Sequence, residues 1–476
     1  MRLPGFVGPS YESYSKILAG ERSINLFKEN VATDQGKARS GLVSAPGLVT
    51  FATVDDTPGR GLFHEDGRLF GVFGETLYEF TSAGVETALG TVIEDDNPAQ
   101  MTTNGDGGNE LHIVSGDSGY IFDLVSSAFT TEVTDVTMCG QIDGFFVDLD
   151  ANSSTIKISE SLDGLTWDAT QIAQRTAASD PWIAMLISRR EIYLFGGKTG
   201  EVWFNAGNSP FPFAQRPGAF FEIGIAARFS LCRFGSTMAW LGESAQGAGV
   251  VYWMNGYTPN PISNPAVEKV IQTYRDDGGI SDAIAWSYER EGHQFYVLTF
   301  PTQGKTWVYD AATGEWHERG RWNSLENAFV AYRPQFHANA FGKNLVCDNQ
   351  SGTIYELSST TYTDVGGSVL RRERRTPHLS DENRRLFFDY FELECERGVG
   401  LASATVQGYD PLVALRYSDD GGQTFGAERT RSLGKRGVHD QRVRWDCCGS
   451  GRDRVWSVSC SEPVPFHIFD AYVGVS

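Results

Sequence analysis

The chain has no CxxC pair, no excess of basic charge, no long apolar run and no metal-binding or phosphate-binding signature, and each absence removes a class of function. Its seven cysteines, Cys139, Cys232, Cys347, Cys395, Cys447, Cys448 and Cys460, are scattered and odd in number. That usage reads as reduced, mostly buried thiols and not as a disulfide or metal framework. Adjacent Cys447 and Cys448 point to opposite faces if they lie in a strand, so they cannot jointly grip one metal without a turn. Lys and Arg total 40 against 60 Asp and Glu, a formal net charge of -20. A general grip on phosphates needs clustered cations, so any contact with DNA is expected to be weak. The eight histidines, His64, His112, His293, His317, His337, His378, His439 and His467, form no HExxH or H-x-H and sit by no Ser or Cys elbow. They read as surface or packing residues. Neither a GxGxxG nor a GxxxxGK[ST] loop occurs, so the expectation is no catalysis, no cofactor and no metal. Residues 1–21 carry no apolar run of signal-peptide length, and no stretch of about 20 apolar residues is found elsewhere, which predicts synthesis and assembly in the cytosol.

What is present is aromatic, glycine-rich and periodic. The 476 residues include 53 Gly, 30 Phe, 18 Tyr and 11 Trp, and 41% are apolar. Aromatics fit a pleated surface and glycine supplies positive φ, so this composition favours many short strands joined by tight turns. A short strand centred on Tyr or Trp recurs as Leu77-Tyr78-Glu79-Phe80, Gly119-Tyr120-Ile121-Phe122, Val202-Trp203-Phe204, Val251-Tyr252-Trp253, Trp307-Val308-Tyr309 and Ile354-Tyr355-Glu356-Leu357. The step is roughly 40–55 residues. The one double gap is filled near its middle by Thr155-Ile156-Lys157-Ile158, a degenerate seventh copy. Upstream of several copies lies a second strand pattern, as in Arg68–Phe73, Glu110–Val114, Glu191–Phe195 and Gln294–Leu298. Paired strands at this period match the blades of a β-propeller of about six or seven units. Two or three stacked β-sandwiches are the alternative, and the lack of helical period disfavours a parallel α/β fold.

One helix is expected near 264–277, with Asn264 as cap, Pro265 at the first position, Val267, Val270, Ile271 and Tyr274 on one face, and Gly278 as terminator. It should pack on the propeller rim as an ordinary amphipathic insertion. After Leu357 the composition shifts to Ser and Thr and then to a basic run, Arg371, Arg372, Arg374 and Arg375, followed by Arg384 and Arg385. This places a boundary near residue 360: an N-terminal arm with the first propeller strand or strands over 1–50, the propeller over 51–360, and an antiparallel β-sandwich-like domain over 361–476. Alternation in Phe391, Leu393 and Cys395 and in Val413, Leu415 and Tyr417 supports a half-buried sheet there. The basic run reads either as a solvated linker face or as a docking patch. The intervening Glu373, Asp381 and Glu382 favour a subunit contact over a grip on nucleic acid.

Ser418, Asp420, Gly422, Thr424 and Phe425 fit the Asp-box pattern, in which Asp caps backbone amides, Gly takes positive φ and the aromatic anchors the loop. Ser161–Trp167 is a near match, one residue shorter between Asp and Thr. Asp boxes are common in sialidase-like propellers, so an Asp-box glycan-binding or glycan-degrading protein is the alternative function. A sialidase site would need three arginines around a carboxylate, a Tyr–Glu nucleophile pair and an acidic general acid, and no Arg-Ile-Pro-type start segment occurs; a paired-carboxylate site is defined by a separation that sequence does not reveal.

Several segments taken together are similar to one family. They are Glu21-Arg22-Ser23-Ile24-Asn25-Leu26-Phe27 with Ser44–Leu48, Pro261–Ile271, Thr306–Ala311 leading to Trp316, the Arg-rich region at Thr376-Pro377-His378, Arg416–Gly422 and Arg429–Gly434. In order and spacing they resemble the packaged-DNA stabilisation, or tail hub, proteins of short-tailed bacteriophages, over nearly the whole chain. The resemblance implies a structural virion protein that forms a ring, typically of six copies, below the portal and its adaptor. It implies an extended DNA channel, help in retaining packaged double-stranded DNA, and attachment surfaces for tail spikes or fibres and for the needle or plug. It implies assembly in the host cytoplasm and no catalytic residues.

Overall fold

The computed structural model describes residues 1–31, 39–55, 57–150 and 153–476. Seven small antiparallel sheets follow one another along the chain. The first blade comprises Gly59–Glu65, Arg68–Phe73, Thr76–Phe80 and Glu86–Thr91, and the second Gln100–Thr103, Glu110–Ser115, Ser118–Asp123 and Phe129–Thr134. The third runs from Met138–Ile142 to Ile172–Gln174, the fourth from Trp182–Ser188 to Phe213–Phe221, and the fifth from Gly224–Ile225 and Cys232–Phe234 to Thr258–Pro261. The sixth is built of Ile284–Arg290, His293–Phe300, Lys305–Asp310 and Glu315–Arg319. Pro334–Ala340, Lys343–Asp348 and Thr353–Ser358 form the seventh, which takes its outer strand, Gly47–Thr53, from the other end of the chain. This borrowed strand closes the ring, so the last blade presents no free edge there.

All seven copies of the recurrent short strand fall on the third strand of a blade, and the upstream patterns fall on the second. The reason is packing. Tyr78, Tyr120, Trp203 and Tyr355 are all buried, and the apolar residues around them form clusters that span neighbouring blades. Each blade has two apolar faces and must bury both against its neighbours. First strands approach one another closely around the axis: a Cβ at Gly140 would stand 2.5 Å from Ile187 Cγ1, so this register tolerates only glycine without a shift.

The helix Pro265–Asp276 has the expected cap, Asn264 Oδ1 accepting from the amides of Ala266 (3.1 Å) and Val267 (3.0 Å). Val267 and Ile271 are buried against the fifth and sixth blades, and Gly278 follows at φ +104°.

The C-terminal part is a two-sheet sandwich whose sheets both incorporate N-terminal strands. One sheet is ordered Leu26–Asn30, Ser40–Ser44, Ile468–Val475, Leu386–Cys395 and Val443–Asp446. The other runs Gly20–Ile24, Arg372–Arg375, Asp453–Cys460, Leu412–Ser418 and Arg429–Ser432, and it continues into the sixth blade because Ile24 pairs in parallel with Glu318. Phe391, Trp445, Trp456, Val458 and Leu415 fill the space between the two sheets. Asn25, at φ +56° and buried, is where the chain leaves one sheet and enters the other. Its side-chain amide donates to the carbonyls of Gly320 (2.8 Å) and Arg371 (2.7 Å) and accepts from the Gly320 amide (3.1 Å). Asn tolerates the left-handed region that a larger or branched residue resists.

Candidate functional site

Three places could carry function: the propeller axis, the Asp-box turn and the basic run. The axis holds a cavity of about 620 Å³ lined by first strands of all seven blades, among them Met101, Cys139, Met185, Cys232, Trp286 and His337. Its lining is largely neutral, with Glu65 and Arg233 as its exposed charges. Burial pushes the Cys139 and Cys232 thiols well above their ordinary range, so neither is a thiolate nucleophile at neutral pH. Burial likewise pulls His337 down to about 4. It is held by Asn344 (2.9 Å) and stacks on Trp286. Two other histidines are held by internal partners: His112 is wholly buried, with Nε2 2.9 Å from Asp148 and Nδ1 3.1 Å from the Tyr120 carbonyl, and His293 pairs with Asp310 at 2.8 Å. Burial opposes the charge on His112, but Asp148 more than offsets this and leaves its pKa raised. Among the described residues no group of three His, Cys, Asp or Glu could hold a metal ion.

The Asp-box residues lie together at one end of the strand Leu412–Ser418 in the sandwich. Asp420 accepts from the amides of Gln423 (3.0 Å) and Thr424 (2.9 Å), and the hydroxyls of Ser418 (2.6 Å) and Thr424 (2.5 Å) donate to it. These donors hold its carboxyl well below the usual carboxylate range. Gly422 takes φ +81°, and the Phe425 ring lies under the guanidinium groups of Arg375 (4.8 Å) and Arg416 (5.1 Å). The near match works in the same way: Asp163 accepts from the Leu165 amide (2.9 Å) and the Thr166 hydroxyl (2.8 Å). In both turns the acidic group is occupied by hydrogen bonds from the loop itself.

The basic run is drawn into the molecule. Arg372 and Arg374 are fully buried, and Arg371 is nearly so. Arg374 donates to the carbonyls of Phe6 (2.7 Å), Pro9 (2.7 Å) and Gly5 (2.8 Å) and to Glu21 (3.1 Å). Arg372 donates to the carbonyls of Val464 (2.6 Å) and Glu462, and Arg371 donates to Glu428 (2.6 Å) and lies 4.3 Å over the Trp322 ring. Arg375 is largely buried beside Phe425. Arg371, Arg372 and Arg374 are thus engaged within the chain, whereas Arg375 is largely buried without a hydrogen-bond partner among the described residues. Arg384 and Arg385 lie apart from them on an exposed loop, Arg384 near Asp381 and Glu382. What the sequence reading missed is the seam itself, where Arg22 binds Glu318 through two hydrogen bonds and Arg416 binds Glu373 at 2.9 and 3.0 Å. Its only signal in the sequence is alternating charge in short strands, which ordinarily marks a solvated surface.

A closed propeller joined by a continuous sheet to a sandwich, with loop faces at both ends of the ring, defines a rigid β scaffold. Within that class the chain belongs to the Bacteriophage P22 Gp10 family: the model described as Bacteriophage P22 Gp10, beta-propeller matches residues 21–362, and that described as Bacteriophage P22 Gp10, beta-sandwich matches residues 371–476. The tail hub protein gp10 of Salmonella phage P22 is 23% identical over 288 residues, which cover 58% of this chain and 57% of that protein. The chain thus matches less than two thirds of the length of that curated relative. Among solved structures, a streptogramin B lyase is 9% identical with a TM-score of 0.42, over 65% of this chain and 96% of that one. The N-terminal domain of Nup159 is 9% identical with a TM-score of 0.40, over 69% of this chain and 98% of that one. Neither likeness bears on function.

Proposed function

We propose that this chain is a structural tail hub of a short-tailed bacteriophage. It assembles in the host cytoplasm into a ring, of six copies, below the portal and its adaptor, and in the virion tail it extends the DNA channel and helps retain the packaged genome. The observation that carries this reading is the match of the propeller and sandwich family models, in order, over nearly the whole chain. Two physical features support it. The net charge of -20 suits a conduit through which double-stranded DNA slides without being gripped. A propeller closed by its own N-terminal strand and continuous with the sandwich offers loop faces held at fixed positions, which suits simultaneous attachment of a tail spike or fibre and a needle or plug. The exposed loop bearing Arg384 and Arg385, next to the half-exposed Phe387, is a candidate contact for one of these partners.

The test is assembly. The purified chain mixed with its portal–adaptor complex should yield a particle of fixed stoichiometry in native mass spectrometry and a ring density below the adaptor in cryo-electron microscopy. Persistent failure to bind would overturn the reading. A glycan array separates it from the Asp-box glycan alternative, which requires binding or turnover where the hub reading expects a blank.

A further inference from the structure

Where the sixth blade meets the sandwich, a cavity of about 230 Å³ opens beneath the hairpin Arg321–Asn323 and Ala328–Val330, whose Trp322 and Phe329 rings pack edge to face at 5.0 Å. Arg22, Lys305, Arg375 and Arg416 line it, with Glu373 as the carboxylate in its wall. The cations are not equally matched. Arg22 is bound by Glu318, Arg416 by Glu373, and neighbouring Arg371 by Glu428, with Glu373 also 3.7 Å from Arg371 Nε. Arg375 and Lys305 are left over. The Arg375 side chain is 12% exposed and makes no hydrogen bond among the described residues: its nearest carboxylate is Glu12 at 3.8 Å, its Nε is buried without a partner, and one face lies on Phe425. Among the described residues Lys305 donates only to the Phe329 carbonyl, at 3.2 Å, and forms no ion pair. Burial and the nearby Arg22 both pull the Lys305 ammonium below its ordinary range.

Two cations without hydrogen-bonded counter-charges, facing one cavity with room for several waters, form an arrangement that is unfavourable when empty of charge. The guanidinium fork and the ammonium supply the donors that match an oxyanion, in a place where desolvation strengthens each of them. We propose that this cavity binds a small oxyanion, a phosphate or carboxylate group, between Arg375 and Lys305. Because Lys305 belongs to the propeller and Arg375 to the sandwich, the anion bridges the two and tightens the seam. This site goes beyond the virion reading and does not depend on it.

The test uses the full chain in thermal unfolding at pH 7 with inorganic phosphate, acetate or chloride at matched ionic strength. The expected result is a saturable rise in the unfolding midpoint with phosphate or acetate that chloride does not reproduce, and the oxyanion that saturates at the lower concentration identifies the preferred group. Arg375→Gln and Lys305→Gln should each weaken the apparent Kd about tenfold, the loss of one charge-assisted hydrogen bond. A rise that follows ionic strength alone, or that survives in both variants, overturns the proposal. Should either variant fail to fold, wild-type crystals soaked in selenate decide it: an anomalous peak between Arg375 and Lys305 supports the site, and its absence there at saturating concentration overturns it.

Discussion

Among the largest fully enclosed side chains the propeller contributes Trp182, Trp240 and Trp316, whereas the sandwich contributes Trp445 and Trp456 together with three guanidinium groups, those of Arg372, Arg374 and Arg454; Arg60, Arg175 and Arg319 are also buried in the propeller. The difference follows from the backbone each region has to bury. Blade backbones satisfy one another in regular ladders, so the space between blades can be largely apolar, and a buried arginine such as Arg60 serves where carbonyls outside the ladders, those of Gly74, Ile93 and Asn97, need donors. The sandwich instead receives irregular chain, residues 5–9 on one side and 462–464 on the other, whose carbonyls have no ladder partner; Arg374 and Arg372 supply the missing donors. One arginine carries five N–H donors in a fixed fork and can satisfy several carbonyls at once. A buried charge here thus substitutes for strands that the sequence does not supply.

The contrast is broken most sharply at Arg374. Arg374→Ala should destabilise the sandwich by about 4 kcal/mol, since it strands several buried carbonyls and the Glu21 carboxylate, and Arg374→Lys should not restore it because an ammonium cannot reach the same set. Chemical denaturation followed by limited proteolysis should show residues 5–10 becoming cleavable while the propeller stays resistant. In the propeller the matching change is apolar: Leu298→Ala, at a fully buried position of the sixth blade, should cost about 3 kcal/mol through lost burial and the cavity it leaves, read as a shift in denaturant midpoint. A fall of similar size from a conservative polar change between blades would blur the distinction.

Acidity separates the two regions next. Where the chain leaves the seventh blade, burial raises the Asp364 carboxyl to about 6 from an unfolded value of 3.8. The folded state then holds that proton more tightly, so the stability it contributes is present below about pH 4 and is lost as pH rises through about 6. Asp364→Asn, which keeps the acceptor for the Val365 amide (2.8 Å), should remove this slope and stabilise the protein at pH 7 by about 2 kcal/mol or less, measured by urea midpoints at pH 4.5 and 7. In the seam the sign is opposite. Burial alone would raise Glu373, but the guanidinium groups of Arg416, Arg375 and Arg371 outweigh it and leave its pKa lowered. Its contribution is therefore present above its unfolded value and lost as pH falls through the folded one. The smallest effect is expected at the Asp box. Asp420→Ala should leave the unfolding midpoint nearly unchanged while speeding amide exchange at Gln423 and Thr424, whose N–H groups it caps.

The elements legible in the sequence were those whose causes are local. The aromatic strands stood out because each third strand must present bulk to both neighbouring blades, and even the degenerate copy Thr155–Ile158 kept its alternation. The Asn264 cap and the Asp-box turns were readable for the same reason, since each is closed by residues a few positions apart. The basic run was the opposite case. Four arginines within five positions look like a solvated face, and nothing nearby in sequence shows the carbonyls of Gly5, Phe6, Pro9, Glu462 and Val464 that accept hydrogen bonds from Arg374 and Arg372.

By itself, then, the sequence determined the repeating unit, the turn chemistry, the capped helix and the family, because period-2 alternation, glycine at positive φ and side-chain caps act over a few residues. Only the tertiary structure decided that residues 20–30 join the sandwich, that Gly47–Thr53 closes the ring, and that the arginines lie inside. Those outcomes depend on pairings such as Ile24 with Glu318 and Arg22 with Arg375, made across some 300 residues of chain, where the free energy of each contact exists only once the partner strand is already in place.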